Sequence, residues 1–511
     1  MALLALIVVG AGCGSDHAPA GSDLLSPASV VSESAAPLGA DSDSGPTTDG
    51  TVNTGEPSDA TAGTSATDGS GQTATGAEPL PPLPDPAPAL ACDGSTVLCV
   101  DASAGDGGGG TADVPLVSIR EAIALAGPGA TIQVAAGTYA EPIVLDGVSD
   151  LSIVGGFVAG GDFTARDAQT DDTVLQGTGD ASVVSITGSS GILVEGFRIT
   201  GGGGSTDTYS WFGGGVHVDA GSSDVAIVGN RIHANAVDHG DDPTSTFGGG
   251  VATYGTDVTI VGNVIEANGA GRGSGIAAIG GSTTIQRNVV RDNVSVGDHG
   301  GGIYAAGDVR ILDNRIEGNR VGVALGYGWG GGIIVFGDDT TATLQGNVVT
   351  GNLAVGAGSG VFVDDGADAT LVDEIYAANL CTTDGGTQML VDTGGATTTV
   401  AELRNVTITA TDCPEAGNGG AVLIAASDPA ATPCSVSITS SILWGNRADD
   451  VQVSGCELTI TDSVVEQPLD AAIDGGGNLG VDPMFVDPAS FDFTLDPASP
   501  ALGRGASGTT P

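Results

Sequence analysis

Residues 300–319 read GGGIYAAGDVRILDNRIEGN, and the reading of this stretch decides the fold. Ile303 with Ala305, Val309 with Ile311, and Ile316 mark three short runs in which apolar residues alternate with others, the period-2 signature of strands. Glycine opens the unit, asparagine stands at 314 and again at 319, and no run is long enough for a helix. The unit recurs: GGGVHV starts at Gly213, GGGVAT at Gly248, GSGIAA at Gly273, GGGIIV at Gly330 and GSGVFV at Gly358. With Gly300 included, the spacings are 35, 25, 27, 30 and 28 residues. Between these units, VAIVGNRIHAN and its four relatives place Asn230, Asn263, Asn288, Asn314 and Asn347 in one register. Asn235, Asn268, Asn293, Asn319 and Asn352 stand in a second. Three short strands per period predict an all-β parallel β-helix solenoid of roughly a dozen coils, stacked at about 4.8 Å. The asparagines are expected at sharp corners, where they tolerate the left-handed conformation and can hydrogen-bond from coil to coil. The glycines serve the opposite corner.

These repeats resemble the right-handed parallel β-helix of the pectate-lyase-like superfamily, and the alternating GG[GA][ILV] and [IV]-x-x-N units are similar to those of polymorphic membrane protein adhesins. SIREAIALAGPGATIQVAAGTYAEPIV, residues 118–144, is similar to the opening segment of bacterial β-helix proteins, where a short N-terminal capping helix closes the first coil. Ile119, Ile123 and Ala126 would form its apolar stripe, and Gly127 to Gly129 would end it. DPMFVDPASFDFTLDPASPALGRG, from Asp482, is similar to the family's closing segment. Caps are therefore expected at both ends, over about 92–135 and about 480–511, because an open solenoid end exposes strand edges.

The domain is preceded by an address. Ala2 to Ala11 form an apolar run too short to span a bilayer, and with Gly12 and Cys13 they resemble a bacterial lipoprotein signal, which implies lipidation at Cys13. Residues 14–91 contain no aromatic residue and no arginine, which predicts a disordered tether ending in an extended proline-rich spacer from Pro79 to Ala91. The expected product is exported, held at the cell envelope by its lipid anchor, and presents residues 92–511 as a monomeric domain. Six further cysteines fit an oxidising compartment. Cys92 with Cys99, Cys381 with Cys413 and Cys434 with Cys456 are the favoured disulfides, although the last four allow three pairings. No C-x-x-C spacing supports zinc.

Acidic residues number 62 and basic residues 13, a formal charge of −49, and every basic residue is arginine. Lysine-based chemistry and a Walker A motif are excluded, and the chain will not bind nucleic acid through its own charge.

Length variation falls between the second asparagine of each unit and the next glycines, so these loops gather on one face. They carry Tyr209, Trp211, Phe212, Phe247, Tyr327 and Trp329. If Val216, Val218, Ile303 and Ala305 point inward, alternation turns His217, Tyr304, Ile334, Phe336 and Phe362 outward beside them. An aromatic and acidic face suits a polysaccharide or cell-surface glycan, because sugar rings stack on aromatic faces while carboxylates accept from hydroxyls. The alternative is that the loops fold down and bury these rings as a satellite cluster of a purely structural repeat protein. For catalysis the candidates are His239, Asp241 and Asp242, with Arg272 and His299 nearby, in a polysaccharide lyase or glycoside hydrolase. Asp238, Asp241, Asp242 and Asp298 could instead hold calcium, the one cofactor the sequence suggests. The N-T-D, G-H-G and R-I-K motifs of polygalacturonase-like enzymes are absent, as are a G-x-S-x-G elbow and H-E-x-x-H. The reading is a cell-surface binding protein, with the enzyme as its alternative.

Overall fold

The computed structural model describes residues 85–167, 172–206, 210–238, 242–382, 387–393, 397–411, 420–425, 434–446 and 449–506. Each repeat supplies three strands, for example Val216–Val218, Ser223–Val228 and Arg231–His233. Each pairs in parallel with its counterpart in the next repeat: Val216 opposes Val251, Val225 opposes Val258 and Ile232 opposes Ile265. The first and second runs merge into one 23-stranded sheet, because Ile276–Gln286 and Ile303–Leu312 continue through the corner between them. The third runs form a separate 12-stranded sheet, one strand per coil, which is the third sheet when the sheets are numbered by run. The result is an all-β, right-handed parallel β-helix. Alternation buries Ile303, Ala305, Val309, Ile311 and Ile316 in one apolar core that continues from coil to coil.

The corners differ from the sequence expectation in one respect. The left-handed residue is the one before each asparagine, such as Arg287 (φ 51°) and Asp292 (φ 55°), while the asparagine itself turns its amide inward. Asn288 Oδ1 accepts from Asn263 N at 2.9 Å and from Asn263 Nδ2 at 3.0 Å, and Asn288 Nδ2 donates to the Ile260 carbonyl at 2.8 Å. The same bonds repeat along both files and satisfy buried backbone groups at every turn. The expected corner glycine is the first of each triplet, with Gly273 at φ 57°. The later ones are required by close approach, since a Cβ on Gly250 would lie 2.5 Å from the Gly275 carbonyl oxygen.

The first file ends on a residue that the repeat pattern hid. Glu374 takes the asparagine position, accepts from Asn347 N at 2.8 Å and Nδ2 at 2.7 Å, and receives the Tyr376 hydroxyl at 2.9 Å. Burial pushes its carboxyl up to about 8 against these hydrogen bonds, so it is neutral in the ladder.

Both ends are closed, in different ways. The helix Ile119–Leu125 buries Ile119 and Ala122, packs Ile123 and Ala126 against the core, and is capped by Ser118, which accepts from Glu121 N. Glu141 also holds its first turn, accepting from Ile119 N at 2.7 Å. At the far end Leu469 and Ile473 lie against the core, and the segment from Asp482 is not an end cap. It folds into an antiparallel hairpin, Phe485–Asp487 with Asp492–Leu495, that runs back along the outside of the third sheet and packs Phe493 on Ile375 and Ala377. Residues 85–91, expected in the tether, belong to the folded domain. Leu90 N donates to Gln133 at 2.7 Å, and Ala87 N donates to Glu195, which is paired with Arg166 at 2.7 Å in a buried site. Cys92–Cys99 and Cys434–Cys456 are formed and Cys381 is disulfide-bonded, while Cys413 and Cys13 lie outside the described residues.

Glu374 predicts a pH dependence. Its carboxyl has a folded value of about 8 against an ordinary 4.5, so its stabilisation is complete below the ordinary value and is lost as pH rises through about 8. The loss is on the order of 5 kcal/mol. Glu374→Gln keeps the acceptor for Asn347 without the charge, so it should match the wild type near about pH 5 and exceed it in urea unfolding near about pH 9. Parallel pH profiles for the two proteins would refute the neutral ladder position.

Candidate functional site

The long loops do not stand apart from the solenoid. They pair with one another as a fourth sheet of eight strands, including Trp211–Phe212, Thr246–Phe247, Gly269–Arg272 and Val294–His299, parallel throughout except for the edge strand Ser205–Thr206, which is antiparallel to Trp211–Phe212. Its register lines up the residues immediately before the first glycine of each unit: Phe212 opposes Phe247, Phe247 opposes Arg272, Arg272 opposes His299, and His299 bridges to Trp329. Five candidates from distant parts of the sequence thus form one file. Beneath it runs the outward file of the first sheet, in which Tyr304 opposes Ile334, Ile334 opposes Phe362, and Phe362 opposes Leu390.

These two files close on each other as a second apolar cluster. Tyr304, Ile334 and Phe362 do leave the core face, as alternation predicts, but Phe212, Tyr304 and Phe362 are no more than 5% exposed under the loop sheet. These rings are packing groups and offer no open stacking face, which corrects the expectation that Phe212 and Tyr304 bind ligand. Phe212 meets Tyr254 edge-on at 4.9 Å and stacks at 5.9 Å on the half-buried His217. Phe247 meets Tyr304 at 5.8 Å, and Phe336 meets both Tyr304 and His299, at 5.9 and 5.4 Å. The rim remains accessible. Trp211, Phe247 and Trp329 are half-buried, and Tyr327, 47% exposed, lies 5.7 Å from Trp329.

A polar triad sits within this rim. Arg272 holds Asp298 through two contacts of 2.9 and 3.1 Å and lies over the Phe247 ring, while His299 Nδ1 lies 2.8 Å from Asp298. Burial would raise the Asp298 carboxyl, but His299 and Arg272 outweigh it and hold the group well below the usual range. Both oxygens are thereby engaged, so Asp298 does not fit a calcium ligand. Asp242 does not fit either, since its carboxylate closes its own loop by accepting from Thr244 N at 3.1 Å and Oγ1 at 2.7 Å. Asp238 is exposed, and among the described residues no three acidic, histidine or cysteine side chains are placed to hold a metal ion. Tyr209, His239 and Asp241 lie outside the described residues.

Sequence reasoning missed the acidic end of this face. Asp364 follows Phe336 in register on the next strand, and one coil further the same register brings Asp392 beside it. Burial pushes the Asp364 carboxyl up to about 8, reinforced by the charges of Asp365 and Asp392. Asp365 is raised as well, by burial and then by Asp338, while His299 acts in the opposite direction. Position alone gave no signal, because the equivalent residues of the earlier units are Asp219, Tyr254, Ile279, Ala306 and Phe336, so an aspartate at this place is not peculiar to the last one.

The family described as a right handed beta helix region matches residues 168–328 and, in an overlapping match, 249–409. No curated protein sequence matches the chain. Among solved structures the chain is similar to endo-xylogalacturonan hydrolase from Aspergillus tubingensis, at 16% identity over 75% of this chain and 99% of that one, with a TM-score of 0.30. It is similar to the catalytic unit of the thermostable GH87 alpha-1,3-glucanase from Streptomyces thermodiastaticus strain HF3-3, at 16% identity, 78% and 70% coverage and a TM-score of 0.34. A third is tailspike protein gp49 from Acinetobacter baumannii bacteriophage Fri1, a capsular polysaccharide depolymerase, at 12% identity, 76% and 64% coverage and a TM-score of 0.32.

The triad predicts an acid-sensitive stability term. The depressed carboxyl of Asp298 stabilises the fold above its ordinary value of 3.8, and that contribution is lost as pH falls through the native value. Asp298→Asn should cost about 2 kcal/mol near neutral pH, by leaving Arg272 half-buried without its partner. Urea unfolding should show the gap to wild type narrowing by about pH 2, and a constant gap would place Asp298 outside the network.

Proposed function

We propose that the solenoid is an exported, lipid-anchored binding protein that recognises carbohydrate across the rim of its fourth sheet. The observation that carries this reading is the single file Phe247, Arg272, His299 and Trp329, with exposed Tyr327 at one end and the acidic corner of Asp338, Asp364, Asp365 and Asp392 beside it. Accessible ring faces give sugars a stacking surface, and carboxyl groups at its edge accept from hydroxyls. The packed layer of Phe212, Tyr304 and Phe362 beneath supports the rim rigidly, which lowers the ordering cost of binding. Neutral glycans suit a chain of charge −49 better than polyuronates do.

One observation favours a hydrolytic second reading. Asp364 and Asp392 stand on adjacent strands, about 4.8 Å apart at the backbone, and Asp364 has a carboxyl at about 8. A protonated acid beside a second carboxyl is the equipment of glycoside hydrolysis.

On a panel of polysaccharides, Tyr327→Ala and Trp329→Ala should each weaken retention of the full chain about tenfold on the polymer it binds. Unchanged retention in both would move the binding site off this rim. Release of reducing ends, if seen, should vanish in Asp364→Asn and fall as pH rises through about 8, where Asp364 loses its proton. Turnover that survives this substitution would remove the pair from the reaction.

A further inference from the structure

The outer face of the third sheet has a charge balance unlike the rest of the chain. One of its files runs Arg198, Arg231, Val264, Val289, Arg315 and Val348, each opposite the next. The file beside it runs Thr200, His233, Glu266, Arg291, Glu317 and Thr350 in the same register. Four of the chain's 13 basic residues therefore share one flat face with two glutamates, in a protein with 62 acidic residues. The arginines are also outermost: Arg231 and Arg291 are 40% and 41% exposed, while the Glu266 they share is 10% exposed. Arg315 pairs with Glu317 on its own strand. Arg198 has neither an ion pair nor a hydrogen bond through its guanidinium among the described residues, and its Nε is shielded from solvent. Of the charges at the bordering corners, Arg287 and Asp313 neutralise each other at 2.9 Å, leaving Asp292. Among the described residues, the returning C-terminal segment covers this sheet only around Val348, Ile375 and beyond.

We propose that this face docks a linear anionic glycan laid along the solenoid axis. Arginines on successive or alternate coils extend over about 19 Å at the spacing of stacked strands. A polymer with repeated acidic groups can meet them in turn, whereas a single small anion would need donors that converge. The rest of the acidic surface opposes the approach, but its field is screened beyond about 8 Å at physiological ionic strength, while the guanidinium contacts are direct. This surface lies on a different sheet from the aromatic rim and does not depend on that reading.

The test is fluorescence anisotropy of labelled octasaccharides with the full chain across a salt series, using one carboxylated, one sulfated and one neutral probe. An anionic probe should bind, weaken steadily with salt, and lose about tenfold in affinity in the Arg198→Gln, Arg315→Gln double variant. Arg404→Gln, which removes the same charge from the second run of strands, should leave affinity unchanged. The carboxylated and sulfated arms identify which acidic group is preferred. Failure of both anionic probes to bind, equal binding of the neutral probe, or full affinity in the double variant with native near-ultraviolet circular dichroism would each overturn the proposal.

Discussion

The asparagine ladders are the interaction on which the rest depends. A solenoid corner buries backbone N–H and C=O groups that no strand pairing can reach, and in these coils one side-chain amide per corner satisfies them by binding both the coil before and the coil after. Because each amide must meet its counterpart about 4.8 Å away, the ladder also fixes register. With register fixed, every position in a coil stacks on the same position in the next, and the core becomes a set of continuous apolar files.

Function can therefore enter only where the repeat permits variation. The loop before each glycine triplet varies in length, yet its last residue is pinned by the turn that follows. That is why Phe212, Phe247, Arg272, His299 and Trp329 form a file despite spacings of 25 to 35 residues between their units. The same pinning sets a limit. Rings that point down from the file and rings that point up from the first sheet fill one another's space, so half of an aromatic face is consumed in holding the loops in place and only the rim is free.

The fold was legible because period-2 alternation, glycine triplets and asparagine registers all report backbone requirements that cannot be met in other ways. The site was legible as a location more than as a set of exposed side chains. Tyr304 reads as outward by alternation, but alternation says nothing of what lies above it. Glu374 and Asp364 were hidden for the opposite reason: Glu374 breaks the asparagine file at one position, Asp364 stands where the units vary freely, and in a chain rich in acidic residues a single carboxyl looks like a solvated turn until its burial is known. The hairpin beyond Asp482 was recognisable as a terminal segment, but whether such a segment plugs an end or returns along a face depends on the apolar patch left at Ile375, Ala377 and Ile442, which the linear sequence does not display.

Part of the acidity has a structural source. Of the non-glycine residues with a left-handed backbone among the described residues, Asp150, Asp224, Asp257, Asp292, Asp313, Asp365, Asp373 and Asp462 are aspartates, and most stand at coil corners. Aspartate is among the few residues that adopt this conformation without large strain, and at a corner its carboxylate stays in solvent. A long solenoid with many corners can thus accumulate negative charge for backbone reasons alone. Net charge then reports in part the number of turns and not the nature of a ligand alone. The informative charges are the few that depart from this arrangement: Asp298 locked to Arg272, Asp364 kept protonated beside Asp392, and the arginines gathered on the third sheet, where no corner calls for them.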